Sequence, residues 1–119
     1  MLAYKNRFHG HGSLRFVYKN GRAARAEEMT LKFSLNPRRK NPRIAVVISK
    51  KVLKSAVGRN RIRRRIYEVI RQNLTNLTSH NLDMVFIVSS SKLRDIEASE
   101  LETIITNLLT QAKIYKKTN

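Results

Sequence analysis

Residues 49–73 read SKKVLKSAVGRNRIRRRIYEVIRQN, and two signals overlap in them. Ile62, Ile66, Val69, Ile70 and Leu74 fall at i, i+4, i+7, i+8 and i+12, the period of an amphipathic helix. Nine lysines and arginines share the stretch with one acid, Glu68. At about 100° per residue, an inward Ile62–Ile70 stripe turns Asn60, Arg61, Arg64, Glu68 and Arg71 to the other side. Arg63 and Arg65 flank the stripe, where long stems lie on apolar neighbours while the heads reach outward. A face kept only for solubility mixes signs and uses i,i+4 pairs. This face has one acid and prefers arginine, whose planar fork matches phosphate oxygens. The spacing predicts a helix starting near Ala56 or Val57, buried on one side and ready for a polyanion on the other.

On either side of that helix the pattern changes to strands. Met29–Leu35 alternates apolar and polar residues, a half-buried strand. Arg43–Ser49 is a second strand, and its continuous apolar run Ile44–Ile48 predicts a central place in a sheet. Between them NPRRKNP, residues 36–42, is an exposed turn with three cations, framed by both prolines of the chain. Leu82–Ser89 is a third buried strand, reached through a polar linker, Leu74–Asn81. A last helix starts at Glu97 or Ser99. Ser99 and Glu102 fit a capping box, and Leu101, Ile104, Ile105, Leu108 and Ala112 form its stripe.

The ends are more polar. Residues 1–12 read as a mobile basic arm whose Lys5 and Arg7 suit phosphate. Ser13 caps a short helix running to Asn20, with Gly21 just beyond it. Leu14, Val17 and Tyr18 share one face of it. Val17 reads as core, whereas Tyr18 is either core or a platform for an unpaired base. Arg22–Glu28 reads as a polar connection, and the tail KIYKKTN as frayed. The whole is one domain over residues 1–119, an α+β sandwich in the order α-β-β-α-β-α. It has three or four strands, helices on one face, and a β-α-β unit around the basic helix.

Charge placement narrows the partner. Of a net charge of +17, residues 1–71 carry all: 20 lysines and arginines against 3 acids, while residues 72–119 hold five of each. Nucleic acid is the commonest partner of such an excess. A membrane surface is the rival, but the apolar stripe lacks the Trp and Phe anchors of interfacial helices. No run approaches the roughly 18 apolar residues of a membrane span, and the N-terminus lacks a signal-peptide stretch. The absence of cysteine excludes thiolate chemistry and suits a reducing cytoplasm.

Catalytic groupings are missing. The eight carboxylates are scattered over a connector, the basic helix, a strand start and a helix start, with no acid–base or metal constellation. His9, His11 and His80 have no ligand set spaced with them, so no metal site and no catalytic residue is assigned. The pattern points to a part in a reaction played by binding.

Ser49-Lys50-Lys51 followed by Ala56-Val57-Gly58-Arg59-Asn60-Arg61-Ile62-Arg63-Arg64-Arg65 resembles the signature of the bacterial ribonuclease P protein component. Asn6-Arg7-Phe8, Tyr18-Lys19-Asn20-Gly21, Met29–Leu35, Leu82-Asp83-Met84-Val85 and the final helix follow in the family's order, so the resemblance covers nearly the whole chain. It implies a left-handed β-α-β crossover, the ribosomal protein S5 domain 2-like arrangement, where handedness statistics alone favour a right-handed one. It also implies a protein subunit that assists removal of the 5′ leader from precursor tRNA. The active site and its Mg2+ then lie in the RNA subunit, and no cofactor or protein partner is assigned to this chain. By resemblance, Arg59, Asn60, Arg61, Arg63, Arg64 and Arg65 dock on the catalytic RNA, and Leu14, Tyr18, Thr30, Lys32, Ser49, Lys50 and Lys51 line the cleft for the leader. Leu14 stands where the family often has an aromatic ring and can pack on a base without stacking as a ring does. Lys32 likewise replaces an aromatic strand residue and turns that contact toward phosphate. Two other readings remain: a different structured-RNA-binding protein, such as a ribosomal protein or RNA chaperone, and a nuclease that acts without RNA.

Overall fold

The basic helix, α2, spans Ala56–Asn73 and starts on Ser55, whose Oγ accepts a hydrogen bond from the Gly58 amide at 3.0 Å. That bond satisfies one of the orphan donors of a helix start. Ile62, Ile66, Val69 and Ile70 are all buried, as the stripe predicts. Asn60, Arg61, Arg64 and Arg71 are exposed, and Arg63 and Arg65 are half-buried. These observations come from a computed structural model that describes residues 4–8 and 12–116.

The other elements are α1 (Gly12–Asn20), β1 (Arg22–Arg25), β2 (Met29–Leu35), β3 (Arg43–Val47), β4 (Leu82–Val88) and α3 (Ala98–Gln111). The strands form one mixed sheet in the order β1-β2-β4-β3. β1 and β2 are antiparallel, as are β2 and β4, while β3 runs parallel to β4. The chain from β3 through α2 to β4 is the expected β-α-β unit.

Pleating divides the sheet. Met29, Leu31 and Phe33 alternate with Thr30, Lys32 and Ser34, and Leu82, Met84, Phe86 and Val88 alternate with Asp83, Val85 and Ile87. The first set joins Ile44, Val46 and Ile48 in a core shared with Ile62, Ile66, Ile70, Leu101, Ile105 and Leu108. α2 and α3 therefore cover one face. α1 crosses β2 and β4 on the other face, where Val17 and Val85 are buried outside that core. The expectation of helices on one face is corrected: α1 is alone on the second side. Gly21 lets the chain leave α1 close to β2, because a Cβ there would come within 2.6 Å of the Val17 carbonyl oxygen.

Four further expectations change. Arg22–Arg25 is a strand, not a connection, hydrogen-bonded along β2 with only Ala24 buried. β3 is at an edge of the sheet, not its centre. Its apolarity on both sides arises because Ala45 and Val47 face the half-covered side, where they are half-buried. Ser99 lies inside α3 and forms no capping box; Glu97 is the N-cap and makes no side-chain cap bond. The described parts of both ends are docked. Arg7 bridges Ile44 in parallel, and buried Asn6 donates to the Pro42 carbonyl at 2.8 Å. At the other end Ile114 is buried, Tyr115 bridges Leu77, and the Tyr115 hydroxyl bonds Asn73 at 2.9 Å. His9 and His11 lie outside the described residues, as do residues 1–3 and 117–119. No helix among the described residues is long and apolar enough to cross a membrane.

Candidate nucleic-acid interface

Two surfaces carry the residues singled out above. The first is the outer face of α2. Arg64 projects from it with no protein partner among the described residues. Arg63 is held extended by Asn60, whose Oδ1 accepts from Nη1 at 2.9 Å. These groups line a hollow with Tyr67 and Arg7. Glu68, the one acid on α2, is engaged by Arg71, whose hydrogen bond holds its carboxyl below the ordinary glutamate range.

The remaining arginines are bound to the protein as well as turned outward. Arg59 Nη1 donates to the carbonyls of Leu53 and Lys54 at 2.9 and 2.8 Å. Arg61 Nε donates to Arg94 at 2.9 Å, and Arg65 donates to Leu93 at 2.7 Å and to Ile96. Arg61 and Arg65 therefore fasten α2 to the loop after β4. A guanidinium has five donors, so these bonds fix its position without using up its fork. The spacing of the arginines along the helix gives no hint of these distant carbonyls.

The second surface is the half-covered face of the sheet. Register places Lys32, Val85 and Ala45 in one row and Thr30, Ile87 and Val47 in the next. α1 overlies part of it, and exposed Tyr18 and half-buried Leu14 stand at its side. The Lys32 ammonium lies 4.9 Å from the Tyr18 ring centroid and donates to the Tyr18 carbonyl at 2.5 Å. A cation at the last turn of a helix is favoured by the carbonyl dipoles there, so Lys32 also completes α1. Ser49, Lys50 and Lys51 are exposed in a turn beyond β3, where the Ser49 carbonyl accepts from Val52 at 3.1 Å. Thr30 and Lys32 thus share a floor with Tyr18 above it, and the Ser49–Lys51 turn follows the end of the adjoining edge strand. Ala45, Val47 and Ile87 belong to this floor and were not singled out from sequence. Their signal in the sequence is the lack of alternation in β3 for Ala45 and Val47 and in β4 for Ile87.

One buried ion pair ties β3 to β4. Arg43 and Asp83 form a bidentate pair at 2.8 and 2.7 Å, with side chains only 4% and 2% exposed. The Phe8 ring lies 4.6 Å from the Arg43 guanidinium carbon.

The chain thus presents a cationic helix face and, separately, a half-open apolar floor, two surfaces whose residue types suit nucleic acid. The family model for ribonuclease P matches residues 2–113. The ribonuclease P protein component of Clostridium botulinum (strain Langeland) is 34% identical over 111 residues, covering 93% of this chain and 97% of that protein. That of Pseudanabaena sp. is 32% identical over 114 residues, covering 96% and 97%. Among solved structures, the Staphylococcus aureus RNase P protein superposes with a TM-score of 0.80 at 21% identity, over 93% of this chain and 98% of that one. The Thermotoga maritima RNase P protein gives 0.77 at 21% identity, over 88% and 96%; both share the fold. The chain belongs to the ribonuclease P protein component family, the protein subunit of a ribonucleoprotein endoribonuclease of tRNA processing. Membership sets aside the ribosomal-protein and chaperone readings and makes ribonuclease P RNA its partner.

Proposed function

We propose that α2 docks on the catalytic RNA through Arg59, Asn60, Arg61, Arg63, Arg64 and Arg65, while Leu14, Tyr18, Thr30, Lys32, Ser49, Lys50 and Lys51 hold the 5′ leader of precursor tRNA. The carrying observation is the presence of two differently built surfaces on one small sheet. One is cationic and helical; the other is apolar, half covered, and edged by Tyr18 and lysines. RNA folded as a helix meets the first through phosphates. An unpaired strand meets the second through stacked bases.

In this reading the bond is cut by the RNA subunit, which supplies the site and its magnesium, and the complex works in the cytoplasm. Four of the chain's eight acids support that division. Asp83 is paired with Arg43, Glu28 with Lys92, Glu68 with Arg71 and Asp95 with Arg94, so they neutralise cations instead of converging on a reacting group. The protein's share is to bind, orient and screen phosphate charge.

The test is precursor-tRNA cleavage at low magnesium with this protein, with and without a bacterial catalytic RNA. Stimulation is expected only when the RNA is present; cleavage by the protein alone would overturn the reading. Tyr18→Ala is expected to weaken precursor tRNA binding by about 1–3 kcal/mol, the value of one stacked base, and mature tRNA much less. Equal losses on the two would remove Tyr18 from the leader contact.

A further inference from the structure

The proline-framed loop between β2 and β3 takes no part in the two surfaces above. Its Arg38, Arg39 and Lys40 are exposed. They share a hollow of about 400 Å³ with Lys5 and Arg7 of the N-terminal segment and with Arg43. Arg43 is neutralised by Asp83. Among the described residues, no carboxylate lies within ion-pairing distance of Lys5, Arg38, Arg39 or Lys40. Four cations gathered around one hollow repel each other, and a polyanion relieves that repulsion.

A second hollow, of about 600 Å³, opens on the other side of the loop. Arg38 and Arg39 line it too, opposite Phe16 and Leu35, which are 59% and 63% exposed. They are two of the four large apolar side chains exposed among the described residues. Phe16 and Tyr18 lie about 100° to either side of buried Val17, so Phe16 is on the flank of α1 turned away from Tyr18 and the leader floor. The acid lining this hollow, Asp83, is the one held by Arg43. An exposed ring and an apolar neighbour beside two arginine forks suit an unpaired nucleotide: the base packs on the ring and the phosphates meet the forks.

The cationic surface is continuous. Arg7 lines the loop hollow and also the hollow on α2 formed with Asn60, Arg63 and Arg64. We infer that the 36–42 loop, with Lys5 and Phe16, is a second docking surface for the catalytic RNA. It receives an unpaired segment of that RNA around the β3 edge from α2. The inference rests on the reading of α2 as the catalytic-RNA face. The catalytic RNA is preferred to the leader because α1 stands between Phe16 and the leader floor. It is preferred to an acidic protein because the cations are interleaved with an exposed ring.

The experiment is a titration of labelled catalytic RNA, without tRNA, by the full chain over a series of salt concentrations. Arg38→Ala/Arg39→Ala/Lys40→Ala is expected to weaken binding at least about tenfold and to make the log Kd against log salt slope shallower by about two to three, from 0.7–0.9 per lost phosphate contact. Phe16→Ala is expected to weaken binding about fivefold or more with the slope unchanged, and Phe16→Tyr to bind as the parent does. Thermal melts are expected to match throughout, since all four side chains are exposed. Native affinity in both alanine variants overturns the inference, as does a loss that appears only with precursor tRNA. Arg63→Ala/Arg64→Ala run in parallel separates the two levels. A loss there, with none in the loop variants, removes the loop surface alone; native affinity there removes the α2 reading beneath it.

Discussion

Asp83→Ala is expected to lower the stability of this chain by about 3–5 kcal/mol, the cost of leaving a buried charge without its partner. Arg43 faces Asp83 directly in the β3–β4 register, and Nε and Nη2 donate to the two carboxylate oxygens. Asn36 Nδ2 adds a third bond at 3.2 Å. With the carboxylate gone, the guanidinium stays at a site that offers little water. Domains of this kind are stable by about 5–15 kcal/mol in total, so most of the margin is at stake. A urea titration should show a lower midpoint with the slope m unchanged. Arg43→Met/Asp83→Leu should recover much of the loss, because replacing a whole buried pair is often close to neutral. A loss below about 1 kcal/mol in Asp83→Ala would mean that the pair is not needed to hold β3 on β4.

The second large effect is on binding. Arg63→Ala/Arg64→Ala is expected to weaken catalytic-RNA binding at least about 30-fold, from about 1–3 kcal/mol per charge-assisted contact. The salt slope should become shallower by about two. These two residues are clean probes: Arg64 has no protein partner among the described residues, and Arg63 meets only its neighbour Asn60. Arg65 is not a clean probe, because its guanidinium also ties α2 to Leu93 and Ile96. Filter binding with unchanged affinity in the double variant would take the helix face out of the interface.

How far these features were legible in the sequence depended on whether one residue's neighbours are local. In α2 they are. Burial and charge separate at a period of 3.6, so the Ile62–Ile70 stripe and the Asn60–Arg64 face could be told apart from letters alone. β1 could not be read, because Arg22–Arg25 has two small alanines and no alternation of large apolar groups. Its place comes from β2, which supplies the hydrogen bonds. β3 carries apolar residues on both faces, a pattern that strands at the centre of a sheet share with an edge strand beside a hollow; only the sheet order separates the two. The site was legible as residue types and opaque as roles. Arg61 and Arg65 look like Arg64 along the chain, and the carbonyls that hold them come from 28 to 33 residues away. Asp83 read as a strand start, although its partner is 40 residues distant.

Both outer strands are shielded, and by different means. β3 has the N-terminal segment laid against it at Ile44, and β1 is four residues long with an arginine at each end, two ways of discouraging strand addition. The shielding counts most when the chain has met its RNA. Alone, copies carrying +17 repel one another; where phosphates cancel that charge, short and covered borders are the remaining obstacle to strand pairing between neighbours.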